Sequence, residues 1–379
     1  MPNQNDPQLK YRIGLTLIPG IGSILAKKLV EYTGNPEEVF KTNRSQLEKI
    51  PGIGKNLADK IAGSRILSMA EKEIDFITKY RIRALWYLDD NYPQRLRQCP
   101  DSPVVLFTRG KECLDHSRII SVVGTRNASS YGLDLCRNLI HDLSAKGYDP
   151  LIMSGLAFGI DICAHKTALE NRLLTIAALA HGLSTIYPNS HRSIAEKIIR
   201  QGALVTDFPS TVLPERGNFI KRNRLIAGMA DATIVIESGT KGGALITADL
   251  ANSYNRDVFA IPGRVCDKRS QGCNNLIKTH RAALLEEVHD LEYILGWAPV
   301  KGEDGKTAGP SPDGITENEK SVLLLLAENS SGMSVDRISG ETGFGPGKIS
   351  GLLLDLEFRG FITSMPGKIY KVTDKLPSG

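Results

Sequence analysis

RIISVVG (118–124), DPLIMSG (149–155), LLTIAALA (173–180), ALVTDF (203–208), ATIVIES (232–238) and DVFAIPG (257–263) are the runs that decide the fold. Each is a short apolar segment bounded by turn-forming or polar residues, and stretches of helical length separate them. Such alternation implies right-handed crossovers and an extended Rossmann-like α/β domain, its mostly parallel sheet covered on both faces. Ligands in this architecture sit beyond the carboxyl ends of the strands, so the residues that follow each run carry the functional information.

After the first run comes Gly124-Thr125-Arg126-Asn127. Neither GxGxxG nor GxxxxGK[ST] is present there, which argues against a dinucleotide cofactor and against nucleotide hydrolysis. The second run leads into Gly155 and Gly159, which either let a phosphate approach the backbone or serve tight strand-to-helix packing. The fifth leads into ESGTKGGALITA (237–248), a glycine loop with Lys241 ahead of a helix, suited to hold an anion. Between the fourth and fifth runs, FPSTVLPERGNFIKRNRLIAGMA (208–230) sets Phe219 among Arg216, Lys221, Arg222 and Arg224. An aromatic face for a base and cations for phosphates are what single-stranded nucleic acid requires, although a short basic run is also how a solvated helix face reads.

Upstream, LTLIPGIGSILAKKLVEY (15–32) is echoed by LEKIPGIGKNLADKIAG (47–63), each copy a helix, a glycine hairpin and a second helix. The pair resembles the helix-hairpin-helix family, in which hairpin N–H groups and lysines hold a DNA phosphate without reading sequence. Lys27, Lys28, Lys55 and Lys60 suit that role, but such hairpins also serve only to pack helices. Residues 81–114 mix short strands with proline turns as an adaptor, and 298–314 reads as a flexible linker. The tail from 315 gives three helices and a hairpin in the order of a winged helix-turn-helix. There, Leu352, Leu353 and Leu356 form an internal stripe, with Asp355, Glu357 and Arg359 outward. The tail's charge balance, seven Lys and Arg against eight Asp and Glu, argues against duplex reading and hence against a winged-helix regulator.

The whole chain, 379 residues with 47 Lys and Arg against 42 Asp and Glu, is too nearly balanced for net charge to decide a ligand. Its six cysteines form no CxxC pair, and no apolar stretch reaches the length of a signal core or membrane span, so a reduced cytoplasmic protein is expected. His165, His181 and His191 lack a nucleophile or metal partner at any recognisable spacing and read as structural.

The strings SVVGTR, SGLAFGIDICAH, GLSTIYP, NFIKRNRLIAG, GGALITA and FAIPGR, in this order, resemble the DNA-processing protein A family, also called Smf. The match covers roughly 85–295. The resemblance implies a non-enzymatic, dimeric binder of single-stranded DNA that protects incoming strands and loads the RecA recombinase in natural transformation, with single-strand-binding protein a further partner. Carried onto this chain, it implies that Arg126, Arg216, Phe219, Arg222 and Asn223 line the DNA pocket, with Lys221 and Arg224 beside them. Gly124, Gly155 and Lys241 join that set from the loop chemistry. The chain departs from the family pattern at Phe158, Asp207, Ile220 and Gly242. LOG-type nucleotide glycosidases share the architecture, but their PGGxGTxxE acid has no counterpart here before Asp249. No cofactor or metal is expected. The expected domains are a helix-hairpin-helix domain (1–80), the Rossmann-like domain (81–297), the linker (298–314) and the winged helix (315–379).

Overall fold

The computed structural model describes residues 6–61, 65–111, 114–297, 315–329, 332–365 and 369–373. The expected linker lies outside them. The chain divides into two compact units, Met1–Val300 and Lys301–Gly379.

One sheet organises the first unit. Its strands are β1 (Arg83–Trp86), β2 (Val105–Gly110), β3 (Ile119–Gly124), β4 (Leu151–Ser154), β5 (Thr175–Ala178), β6 (Ala203–Thr206), β7 (Ala232–Ile236), β8 (Asp257–Ala260) and β9 (Ala283–Leu284). They lie in the order β1-β2-β6-β5-β4-β3-β7-β8-β9. All neighbours from β6 to β9 are parallel, as the alternation implies, whereas the adaptor's β1 and β2 extend the edge antiparallel. Strand order reverses between β3 and β7, which makes that junction the topological switch point.

Helices cover both faces because successive strand residues point to opposite sides. Ile120, Val122 and Ile152 pack with Cys136, Ile140 and Ala164 of the helices Ser130–Ala145 and Ile160–Glu170. Their neighbours Ile119, Val123 and Met153 pack instead with Leu225, Ile226 and Ala248 of the helices Arg216–Met229 and Gly243–Ser253. Both faces of the central strands are thus buried, which is why these runs are apolar throughout rather than alternating. No helix among the described residues is long and apolar enough to cross a membrane.

The repeated hairpins at the N-terminus turn at Gly20 (φ +91°) and Gly52 (φ +95°), backbone that a side chain would strain. Each hairpin packs on the other copy. A Cβ at Gly20 would meet Leu57 at 3.1 Å, and one at Gly52 would meet Leu25 at 3.0 Å. The hairpin core runs without interruption into Trp86, Val105 and Phe107 of β1 and β2. Polar contacts complete the docking. Buried Glu73 accepts the backbone N–H of Ser210 at 2.8 Å and its hydroxyl at 2.6 Å. Lys27, expected to face a phosphate, instead donates to Ser102 Oγ at 2.6 Å, and burial together with nearby Arg224 lowers its pKa.

In the second unit, helices Glu317–Glu328, Val335–Thr342 and Pro346–Phe358 pack with β10 (Met333–Ser334), β11 (Ile362–Met365) and β12 (Ile369–Val372). The strands form a small antiparallel sheet ordered β10-β12-β11, giving a winged helix. Leu353 and Leu356 are buried and Leu352 is half-buried, in line with the internal stripe. Arg359 corrects its outward assignment: it donates to the buried Glu319 at 2.9 Å, so this cation is spent on packing.

Glu73→Ala would leave the buried N–H and hydroxyl of Ser210 without this acceptor, at about 1–3 kcal/mol each. Urea unfolding of the full chain is expected to show a loss of about 2–6 kcal/mol. Stability equal to that of the wild type would contradict the docking described.

Candidate nucleic-acid interface

The helix Arg216–Met229 is buried from Leu225 to Met229, whereas its first turns stand at the carboxyl ends of the parallel strands. Arg222 is the exception among its cations, being only 3% exposed. Its Nη1 donates to the carbonyl of Ala178, the last residue of β5, at 2.6 Å. Its guanidinium lies on Gly155, just after β4, where a Cβ would come within 1.9 Å of Nη1. The missing side chain of Gly155 is therefore taken up by the arginine and not by a phosphate. Arg222 Nε has no partner, and no ion pair to Arg222 forms among the described residues. Burial pushes its pKa down to about 10; Asp161 favours the charge and Arg126 opposes it. Arg222 remains a cation at neutral pH, held in a dry place without a carboxylate against it.

Asp161 forms no ion pair with Arg222 among the described residues. It is buried nearby, and desolvation holds its own pKa above the usual carboxylate range, against the pull of Arg222.

Phe219, one turn before Arg222, collects the rest of the site. Arg222 Cζ lies 5.9 Å from its ring centroid and Arg126 Cζ, reaching from the end of β3, lies at 4.8 Å. Tyr187 meets the same ring edge-on at 5.9 Å. Tyr187 was missed as a site residue, although it stands exposed in the GLSTIYP string that follows β5. Phe158, 48% exposed after β4, packs edge-on against His191 at 4.9 Å. Arg126, Phe219 and Arg222 are thus brought together at one ring, with extra aromatic surface around them.

The other expected residues divide. Arg216 and Lys221 are exposed on the outer side of the helix, without partners among the described residues. Asn223 is buried and donates to the carbonyl of Gly243 at 3.3 Å, tying the helix to the loop that carries the exposed Lys241. Gly124 closes the sheet, because a Cβ there would lie 2.0 Å from the carbonyl of Ile236. Arg224 is a correction. It pairs with Asp207, donates to the carbonyl of Asp101, and reaches Ser23 Oγ at 3.3 Å, so it joins the hairpin module to the sheet.

Glu237, at the end of β7, occupies the helix N-terminus at the switch point, the usual anion seat of this architecture. Its carboxylate accepts Ser129 N–H at 2.9 Å and the Ser129 hydroxyl, and a Cβ at Gly132 would lie 2.4 Å from its Cδ. The histidines read as structural are internally bonded. His165 Nδ1 meets Thr175 Oγ1 at 2.7 Å, and His181 and His191 each meet a backbone carbonyl, of Gly182 and Leu156.

The family model described as DNA recombination-mediator protein A matches residues 83–295, with DprA winged helix domain at 306–368 and SAM-like Helix-hairpin-helix tandem at 13–62. The chain belongs to the DNA recombination-mediator protein A (DprA/Smf) family. Protein Smf from Synechocystis is 31% identical over 399 residues, covering 95% of this chain and 98% of that protein. Among solved structures, DNA processing protein A from Streptococcus pneumoniae superposes with a TM-score of 0.62 at 30% identity, over 75% of this chain and 97% of that one. A second DprA, from Helicobacter pylori, whose structure describes a single-stranded DNA binding mode, gives 0.51 at 26% identity, over 57% of this chain and 96% of its own.

Burial of His165 carries a pH signature. Its pKa falls to about 3 in the fold, first through desolvation and then through the charges of Arg222 and His191. Below the unfolded value of about 6.5 the unfolded chain takes up a proton that the fold refuses, so stability is present above that pH and falls as pH falls. Relative to His165→Asn, the wild type is expected to lose about 2 kcal/mol between pH 7 and pH 5. Chemical unfolding of both proteins at the two pH values measures this, and a difference independent of pH would contradict it.

Proposed function

We propose that this chain binds single-stranded DNA at the strand-end pocket and delivers it to a RecA-type recombinase. One observation carries the reading: a buried Arg222 without an ion pair lies under the Phe219 ring, which the exposed Arg126 also approaches. Two guanidinium groups gathered at one ring repel each other, and the ring's negative face offsets only part of that. A phosphate supplies the missing counter-charge, while Phe219, Tyr187 and Phe158 offer faces for bases. The Helicobacter pylori relative, with its single-stranded DNA binding mode, supports the choice of ligand. Recombinase delivery, a contact with single-strand-binding protein, homodimerisation and a cytoplasmic place of work extend the same reading from the family.

Binding without catalysis fits the carboxylates. Glu237, nearest the glycine loop, is committed to Ser129, and Asp249, the first acid after that loop, pairs with Arg281 at the surface. A glycosidase needs an acid free to meet its substrate.

Fluorescent oligo(dT) titrated over a range of salt tests the pocket. Phe219→Ala removes a stacking face but no charge, so it is expected to weaken binding by about 1–3 kcal/mol with an unchanged salt slope. Arg126→Ala removes a phosphate contact, so the slope of log K against log salt should flatten by about 0.7. Wild-type behaviour in both variants would refute the assignment.

A further inference from the structure

On the sheet face that carries the helix Ile160–Glu170, an open groove of 520 Å³ lies between that helix and the helix Arg192–Gln201. Lys166 stands on one wall, Lys197 and Arg200 on the other, and Lys111 enters from the turn after β2. Leu169 and Ile194 supply the apolar part of the lining, and Glu170 its carboxylate. All four cations are exposed, and none of their side chains has a hydrogen bond or ion pair among the described residues, to Glu170 or otherwise. Glu196 lies one turn before Arg200 on the same helix and pairs with neither Arg200 nor Lys197. The chain as a whole has a formal charge of only +5, so a lining of four cations to one acid is a local concentration and not a share of a basic surface.

Both walls start at the pocket. The N–H of Ile160 donates to the carbonyl of Thr125, next to Arg126, at 3.2 Å. The other wall begins directly after His191, whose ring packs on the exposed Phe158. At about 1.5 Å per residue, Lys166 lies about 9 Å along its helix from Ile160, and Arg200 about 13 Å beyond His191. A few nucleotides span such a distance. The lining contains no aromatic residue, so the groove offers charge to a backbone and no platform to a base.

We propose that the groove is a second segment of the single-strand path, in which Lys166, Lys197, Arg200 and Lys111 hold phosphodiesters of a strand leaving the pocket past Phe158. The proposal rests on the pocket reading above. It predicts a division by length: a short strand fills the pocket alone, and a longer one also neutralises the groove.

The test uses the full chain, the double variant Lys197→Ala/Arg200→Ala, and two probes, dT oligomers of about 6 and about 25 nucleotides, within and beyond the site sizes single-strand folds cover. For the longer probe, the variant's salt slope is expected to flatten by about 1.4, two contacts at about 0.7 each. For the shorter probe, affinity and slope should match the wild type. The substituted side chains are exposed, and equal melting temperatures would show that the variant folds. An unflattened slope for the longer probe, with short-probe binding intact, would overturn the groove alone and leave it to another occupant such as an acidic protein segment. Failure of the wild type to bind the shorter probe would instead contradict the pocket and, with it, a path that begins there.

Discussion

A guanidinium buried without an ion pair is the constraint on which the rest of this molecule depends. Arg222 has one neutral carbonyl as its acceptor and an unpartnered Nε, and the carboxylate that favours its charge forms no ion pair with it. Holding it there requires Gly155 at the end of β4, the free carbonyl at the end of β5, and a helix anchored well enough to keep the side chain in place. The apolar run Leu225–Met229 supplies that anchor through the core, and Asn223 adds a tie to the next loop. Burying the charge costs stability at one point, and in the function proposed above an anion would find a dry, pre-placed partner there.

Two residues further along, Arg224 shows the opposite use of the same side chain. It meets Asp207, the carbonyl of Asp101 and Ser23, fully engaged, and with Glu73 and Lys27 it fixes the hairpin module to the sheet. Two sides of a single helical turn thus do different work. The inward cation has no ion pair among the described residues, and the sideways one is closed by the protein itself. Glu237 extends that logic to the switch point, where the chain's own carboxylate fills a seat that related architectures leave to a phosphate.

Much of the fold was legible because it rests on periodicity. The six apolar runs all became strands, and the repeated hairpins and tail helices formed where their glycines and apolar spacing put them. β9 and β10, of two residues each, carry no pattern to read. The site was legible in composition but not in direction. The KRNR run, Lys221 to Arg224, names its cations, yet spacing alone does not say that Arg222 turns under the sheet edge while Arg224 turns to Asp207. Gly155 shows the same limit, since a glycine at a strand end reads alike whether it faces a phosphate or an arginine. Tyr187 was visible as a residue of a family string, but its place beside Phe219 depends on the loop after β5, which spacing does not reveal.

The measurement that bears most directly on the unpaired charge is a comparison of Arg222→Met with the wild type, by thermal melting without ligand and by oligo(dT) titration. Methionine fills much of the same volume without a charge to desolvate, so the account predicts a melting temperature equal to or above the wild type's, together with more than about a tenfold loss of single-strand affinity, or about 1.4 kcal/mol. A variant that melts well below the wild type while binding oligo(dT) as tightly would show that Arg222 serves the fold and not the ligand, and would contradict the account.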